Sequence, residues 1–452
     1  MTDSARMADA AARVESLAGA GIQWLIGTFI DNAGISRVKT VPIGRALAAA
    51  QYGIGVSPIF AVICIDDQFA PTGRMGGPVG DLRLIPDLDQ AAVVDRSRGI
   101  AWAPLDHYDQ ERARWPLCQR DVLRRQEQQA LDLGLSFRAA FEIEFTLLTP
   151  DGRAAHDGPG YGLGPLLHLE DFELDLIAAL RVAGVELETL HPEYGPGQVE
   201  ISLAPGPPVA AVDQYVLARL VISRTARQHG YAVSFAPMTI VDEVGNGSHV
   251  HFSATRDGEN IFTAGDGPHG ITKIGAHLIA GVVDHLGEAS GLFAPTIVSY
   301  ERLQPGHWSG AYAGWGLENR ETAVRLVRGT AGARSSLANV EVKSIDGASN
   351  PYLVLAAIIG LGLSGVRESR PLIEPIDQDP DSLPPQIRDA RGVRRMPANL
   401  SDALDALDGS AAIRAALGSE LVDCLVAVRR YELETYGDAP VEERVELVRS
   451  RY

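Results

Sequence analysis

FEIEFTLL, residues 141–148, is the stretch on which the reading of this chain turns. Its residues alternate as a β-strand does, with Phe141, Ile143 and Phe145 on one face and Glu142 and Glu144 on the other. The two carboxylates then stand about 7 Å apart along the strand, and like charges side by side repel. What the two carboxylates face decides whether the arrangement is tolerable.

Four further stretches point to the same place. In HPEYGPGQVE (191–200), Glu193 and Glu200 bracket a Gly-Pro-Gly turn that can bring both carboxylates to one site. In GNGSHVHFS (245–253), His249 and His251 share a strand face behind a glycine-rich loop, and NVEVKSIDG (339–347) adds Glu341 on another strand. SYERLQPGHWSG (299–310) and NRETAVRLV (319–327) contribute Arg302, Arg320 and Arg325. Carboxylates with an imidazole suit Mg²⁺ or Mn²⁺. Arginines opposite them suit a transferring phosphoryl group, whose charge builds on its equatorial oxygens. Taken singly these features are commonplace, since most ExE strands are solvated and most HxH pairs are structural. Their combination carries the reading.

Composition sets the frame. At 452 residues the chain is long enough for two or three domains. With 46% hydrophobic and 22% charged residues it has the balance of a soluble globular protein. A net charge of −18 argues against nucleic acid and anionic membranes as partners. Cys64, Cys118 and Cys424 are widely spaced with no CxxC pair, which fits a reducing cytoplasm. The N-terminus reads as an amphipathic helix without a basic n-region, so no signal peptide is expected. The uncharged run Asn350–Val366 falls short of the roughly 20 residues of a membrane span. Asn350 as N-cap and Pro351 at the first helical position instead predict a buried core helix.

Residues 24–43 predict a hairpin through the turn Asp31–Gly34. Residues 51–87, rich in Gly and Pro, read as more loop than element. From about Asp121 to Leu133 a helix opens a longer region of alternating strands and helices. An α+β chain is expected, with a small N-terminal domain (1–108) and a large catalytic domain (109–452).

The ordered motifs resemble the glutamine synthetase family over nearly the whole chain: ExE, E-x-GPGQ-x-E, GNGSHVHFS, R-L-x-P-G, N-R-x-x-x-x-R, E-V-K and N-P-Y-L. The resemblance implies an N-terminal β-grasp domain and a catalytic domain built on a cavity of antiparallel strands flanked by helices. It also implies a dodecamer of two hexameric rings with active sites between subunits. By the same resemblance Glu144, Glu193 and Glu200 hold one metal ion, and Glu142, His249 and Glu341 hold a second. His251, Ser253, Arg325 and Lys343 fall at ATP-binding positions, and Arg320 with Arg325 at those that grip the phosphates. Arg302 and Gly245 match contacts to glutamate. The implied activity is a two-step, ATP-dependent ligation through γ-glutamyl phosphate.

The departures bear on the second substrate. Ammonia-using members carry an Asp where GIGVSPIF (53–60) has Ser57, and a Glu where this chain has Trp308. Lys343 and Asn339 each stand where the family has Arg, and Ala236 where many members have Lys. Ser57 and Trp308 are therefore expected in an amine pocket larger and more apolar than ammonium needs, with His307 as the nearest base. The expected activity is a glutamate–amine ligase acting on an organic amine, small alkylamines or amino alcohols such as ethanolamine first and arylamines second. An ammonia-using glutamine synthetase and a catalytically silent relative are the alternatives.

Overall fold

The computed structural model describes residues 3–70, 72, 79–263 and 265–452. Residues 71 and 73–78, within the stretch read as loop, lie outside them, as do residues 1 and 2 of the N-terminal stretch read as an amphipathic helix. Two sheets carry the fold. The first holds β1 (Trp24–Ile30), β2 (Ser36–Pro42), β3 (Ile54–Val56), β4 (Leu82–Pro86), β5 (Ala92–Asp95) and β6 (Ile100–Tyr108). β1 and β2 form the expected hairpin, and β6 lies parallel beside β1. The helices Asp3–Gly19 and Ile43–Tyr52 close one face, burying Leu17, Ala46 and Ala50 against Leu25, Ala101 and Ala103. This is the β-grasp arrangement.

β3 and β4 correct the reading of 51–87 as mostly loop. Leu82, Leu84 and Pro86 alternate inward on β4, a period too short to stand out among so many turn-formers. At the β1–β2 turn Gly34 has φ +79, and a Cβ there would collide with the carbonyl oxygen of Ala348. Only glycine lets this turn seat against the loop ahead of the helix Pro351–Glu368.

The second sheet contains β7 (Ser136–Leu148), β8 (Leu187–Pro192), β9 (Gln198–Leu203), β10 (Ala232–Ser234), β11 (Val250–Arg256), β12 (Glu259–Asn260), β13 (Tyr312–Leu317), β14 (Thr322–Val327), β15 (Asn339–Val342) and β16 (Arg394–Arg395). Its order is β16-β13-β14-β15-β11-β7-β9-β8, with β10 beside β7 and β12 beside β11. The neighbouring pairs are antiparallel, as expected, apart from β13 and β14, which run parallel. On β7 the apolar face is buried as the alternation predicts. Phe141 packs on Tyr215 of the helix Pro208–Gln228, and Phe145 on Phe172 of the helix Leu163–Ala183.

The helix Pro351–Glu368 forms the centre of the core. The Asn350 side-chain oxygen accepts the N–H groups of Tyr352 and Leu353 at 3.1 and 3.3 Å, the predicted cap. By length and composition alone this helix could cross a membrane, but most of it is buried inside the fold.

Buried charge ties the two sheets together. Arg120 donates to both oxygens of Asp213 (2.9 and 2.7 Å) and also reaches Asp106 and Asp87. Glu173 is a buried acid without an opposite charge. Glu173, on the helix Leu163–Ala183, has an oxygen with no partner among the described residues. Burial, then the charge of Glu170, pushes its pKa up to about 7. Because this pKa is raised above the unfolded value, the stability Glu173 contributes is full below about pH 4 and lost as pH rises through 7. Glu173→Gln is therefore expected to stabilise the protein by about 1–2 kcal/mol at pH 8 and to change little at pH 4. Equal Tm shifts at both pH values in scanning calorimetry would contradict this.

Candidate active site

The two carboxylates of the opening strand stand where β7 changes partners. β11 pairs with Ser136–Phe141, and β9 takes over from Glu142 to Thr146. Opposite that change, the loop leading into β11 receives the Glu142 N–H at His249 O and the Glu144 N–H at Gly247 O. Across the strands Glu144 faces Glu200, while Glu341 faces His251 on one side and Arg325 on the other.

These groups line a cavity of about 370 Å³ that contains Glu142, Glu144, Glu193, Glu200, His249, Gly245, Arg302, His307, Trp308, Arg320, Arg325 and Lys343. Glu341 is buried beside them. An adjoining cleft of about 280 Å³ is lined by His251, Ser253 and Asn339 and shares Glu142 with the first. Ser57 is in neither. Its hydroxyl accepts the Ile59 N–H at 3.2 Å and caps the short turn Pro58–Ala61, so within one chain it does not meet Trp308 as expected.

The glycine loop works through close approach. Gly247 N–H donates to Glu144 Oε2 at 2.6 Å, and a Cβ on Gly247 would lie 2.7 Å from His249 Nε2. Gln198 Nε2 reaches the same oxygen at 3.1 Å. His249 Nδ1 lies 2.9 Å from Glu142 and 3.5 Å from Glu341, which gathers the expected trio of Glu142, His249 and Glu341. The other expected trio divides. Glu200 groups with Glu144 and His249 on one side, and with Glu193 and His191 on the other, with His191 Nε2 3.0 Å from Glu193 and 3.7 Å from Glu200.

Charge at the site is unevenly distributed. Glu341 has Lys343 Nζ at 2.9 Å and Arg325 Nη1 at 3.2 Å. Burial opposes its ionisation, yet Lys343, His251 and His249 hold its carboxyl below the usual range. Burial also disfavours the His251 cation, but Glu142 and Glu341 override it and push the pKa up to about 9. Glu200 lies at the other extreme. Burial first, then the charges of Glu142, Glu144 and Glu193, raise its carboxyl far above the ordinary value. The protein's own cations do not balance this end of the cavity. A hard divalent cation there would, so the donor set fits Mg²⁺ or Mn²⁺.

Arg302 is buried against the loop, with Nη2 3.3 Å from His249 Nε2 and Nη1 without a partner among the described residues. Trp308, at φ 51, is half exposed, its ring 6.1 Å from that of Tyr194 and under the Arg320 guanidinium at 5.9 Å. Its backbone N–H donates to Glu321 at 3.3 Å, which anchors the loop from below.

Sequence reasoning passed over His191, Gln198 and the Tyr161 ring stacked on His191 at 4.3 Å. A signal existed for two of them. His191 precedes Glu193 by two residues and Gln198 precedes Glu200 by two, the spacing that puts residues on one strand face. Tyr161 lies far away in sequence and carried none.

Residues 116–448 match the family model for the glutamine synthetase catalytic domain. A gamma-glutamylpolyamine synthetase, GlnA3, of Streptomyces coelicolor is 44% identical over 419 residues, covering 91% of this chain and 90% of the relative. A glutamine synthetase of Halobacterium salinarum is 30% identical over 447 residues, covering 96% and 94%. A crystal structure described as a novel glutamine synthase homolog superposes with a TM-score of 0.86 at 31% identity, covering 95% of this chain and 99% of that one.

Proposed function

The chain belongs to the glutamine synthetase family, and on that premise we propose that it joins the γ-carboxylate of glutamate to an organic amine at the expense of ATP. The products are a γ-glutamylamide, ADP and phosphate. The observation that carries the organic amine is Trp308, a half-exposed indole in the cavity wall on the loop where ammonia-using relatives place a carboxylate. The 44% identity to a gamma-glutamylpolyamine synthetase favours amines with a carbon skeleton and directs attention to polyamines beside ethanolamine.

In this reading Arg302 and the backbone at Gly245 hold glutamate, for which the unpartnered Nη1 of Arg302 is available. A γ-carboxylate oxygen attacks the γ-phosphorus of ATP, the bond to ADP breaks, and γ-glutamyl phosphate forms. Arg320 and Arg325 hold the phosphates, with Lys343 behind them and His251 and Ser253 beside the nucleotide. The amine nitrogen then attacks the acyl carbon, phosphate leaves, and His307 takes the amine's proton. Divalent ions held by Glu144, Glu193 and Glu200, with His191 beside them, and by Glu142, His249 and Glu341 would neutralise phosphoryl charge and act as Lewis acids.

We further propose the division of the chain at 108/109, where the first sheet ends, and a dodecamer of two hexameric rings. In such a ring Ser57 would reach the amine pocket from a neighbouring subunit. Three buried free thiols fit a cytoplasmic protein.

The test is kcat/KM for ammonium, ethanolamine, butylamine, 1,4-diaminobutane and aniline, with products identified by mass spectrometry. At least one organic amine is expected to exceed ammonium by about tenfold or more, since each buried methylene contributes about 0.8 kcal/mol. Preference for ammonium would overturn the reading in favour of glutamine synthesis.

A further inference from the structure

Next to the reaction cavity lies a second hollow of about 400 Å³. The two have Tyr194, Val244, His307 and Trp308 in common, which sets the hollow directly beside the reaction cavity. The charge on the two sides differs. The reaction cavity sets Arg302, Arg320, Arg325 and Lys343 among its carboxylates, whereas the lining of the hollow has no lysine or arginine and carries Asp242 and Glu243. Both acids are exposed, and neither carboxylate has an ion pair or side-chain hydrogen bond among the described residues. The rings of Tyr194 and Trp308 meet edge to face at 87° and leave about half of each residue open. Aromatic faces and unpaired carboxylates around one apolar-walled hollow are the chemistry that receives an alkylammonium.

We propose that this antechamber binds the distal ammonium of an α,ω-diamine whose near amine is being ligated. Asp242 and Glu243 are then specificity-determining residues, and the assignment rests on the amine-ligase reading above. The near nitrogen must be neutral to attack, but the far one stays protonated throughout. A monoamine has nothing to place between the acids. A diamine gains two ion pairs and a ring face, while its methylenes lie along Trp308 and Val244.

The experiment compares wild type with Asp242→Asn/Glu243→Gln in kcat/KM for 1,4-diaminobutane and for butylamine. Calorimetric binding of both amines to the glutamate- and Mg²⁺-loaded protein is measured alongside. The diamine-to-monoamine ratio is expected to fall by about tenfold in the double variant, and Glu243→Lys alone should lower it in the same direction. An unchanged ratio, or equal losses for both amines, overturns the proposal. If wild type ligates butylamine and 1,4-diaminobutane equally well, the antechamber assignment fails while the ligase reading stands. If wild type ligates no amine, the ligase reading fails and calorimetry decides: diamine-selective binding lost in the double variant supports the antechamber, and its absence refutes it.

Discussion

Glu144→Ala is expected to lose ligation by about a thousandfold or more while the protein stays folded. Glu144 faces Glu200 across the strands, accepts the Gly247 and Gln198 N–H groups on one oxygen, and points the other towards His249 at 3.8 Å. It thus belongs to the negative end of the cavity, where the donor set fits a divalent cation. Without it the Gly247 N–H and the Gln198 amide lose the oxygen that both donate to. Stability follows a different sign. Glu144 is one of three charges that raise the Glu200 carboxyl, so its removal relieves repulsion when no metal is bound. The metal-free variant should therefore melt within a few degrees of wild type, while stabilisation by added Mn²⁺ should shrink. Near-normal turnover at saturating metal would refute the assignment, as would an unchanged Mn²⁺-induced Tm shift.

Trp308→Glu is expected to move the ratio of kcat/KM for ammonium over that for butylamine upward by on the order of one to two powers of ten. The indole is half exposed in the wall shared by the two hollows, where it can cover the methylenes of an amine. A carboxylate at that place removes apolar surface, attracts the ammonium cation and accepts its proton. The lost apolar surface is what moves the ratio, because a carboxylate attracts both cations and takes a proton from both alike. Trp308→Ala separates the two effects: it should weaken butylamine without improving ammonium. Any side chain here inherits the left-handed φ of 51, so the comparison among Trp, Glu and Ala is made on one backbone strain. A ratio that Trp308→Glu leaves unchanged would remove Trp308 from the amine pocket.

Much of the fold was legible because local rules govern it. The period of two on β7, the Asp31–Gly34 hairpin turn and the Asn350–Pro351 cap each use chemistry confined to a few residues, and the structure contains all three. β3 and β4 were not legible, since three- and five-residue strands amid Gly and Pro gain their stability from sheet neighbours. The parallel pairing of β13 with β14 was equally hidden, because register and direction depend on the partner strand.

For the site, the sequence by itself determined the chemical inventory. Acids at 142, 144, 193, 200 and 341, a histidine at 249 and arginines at 302, 320 and 325 can be read without coordinates, and the family resemblance marks Ser57 and Trp308 as departures. Tertiary structure alone decided how they are shared out. It grouped Glu200 with two neighbouring sets of donors, brought His191 and Tyr161 to one of them, and left Ser57 outside the cavity of its own chain. It also opened the acidic hollow behind Trp308. The physical reason is that residue type sets which charges and donors exist, whereas their energies depend on distance and burial. Those arise only when strands remote in sequence lie side by side.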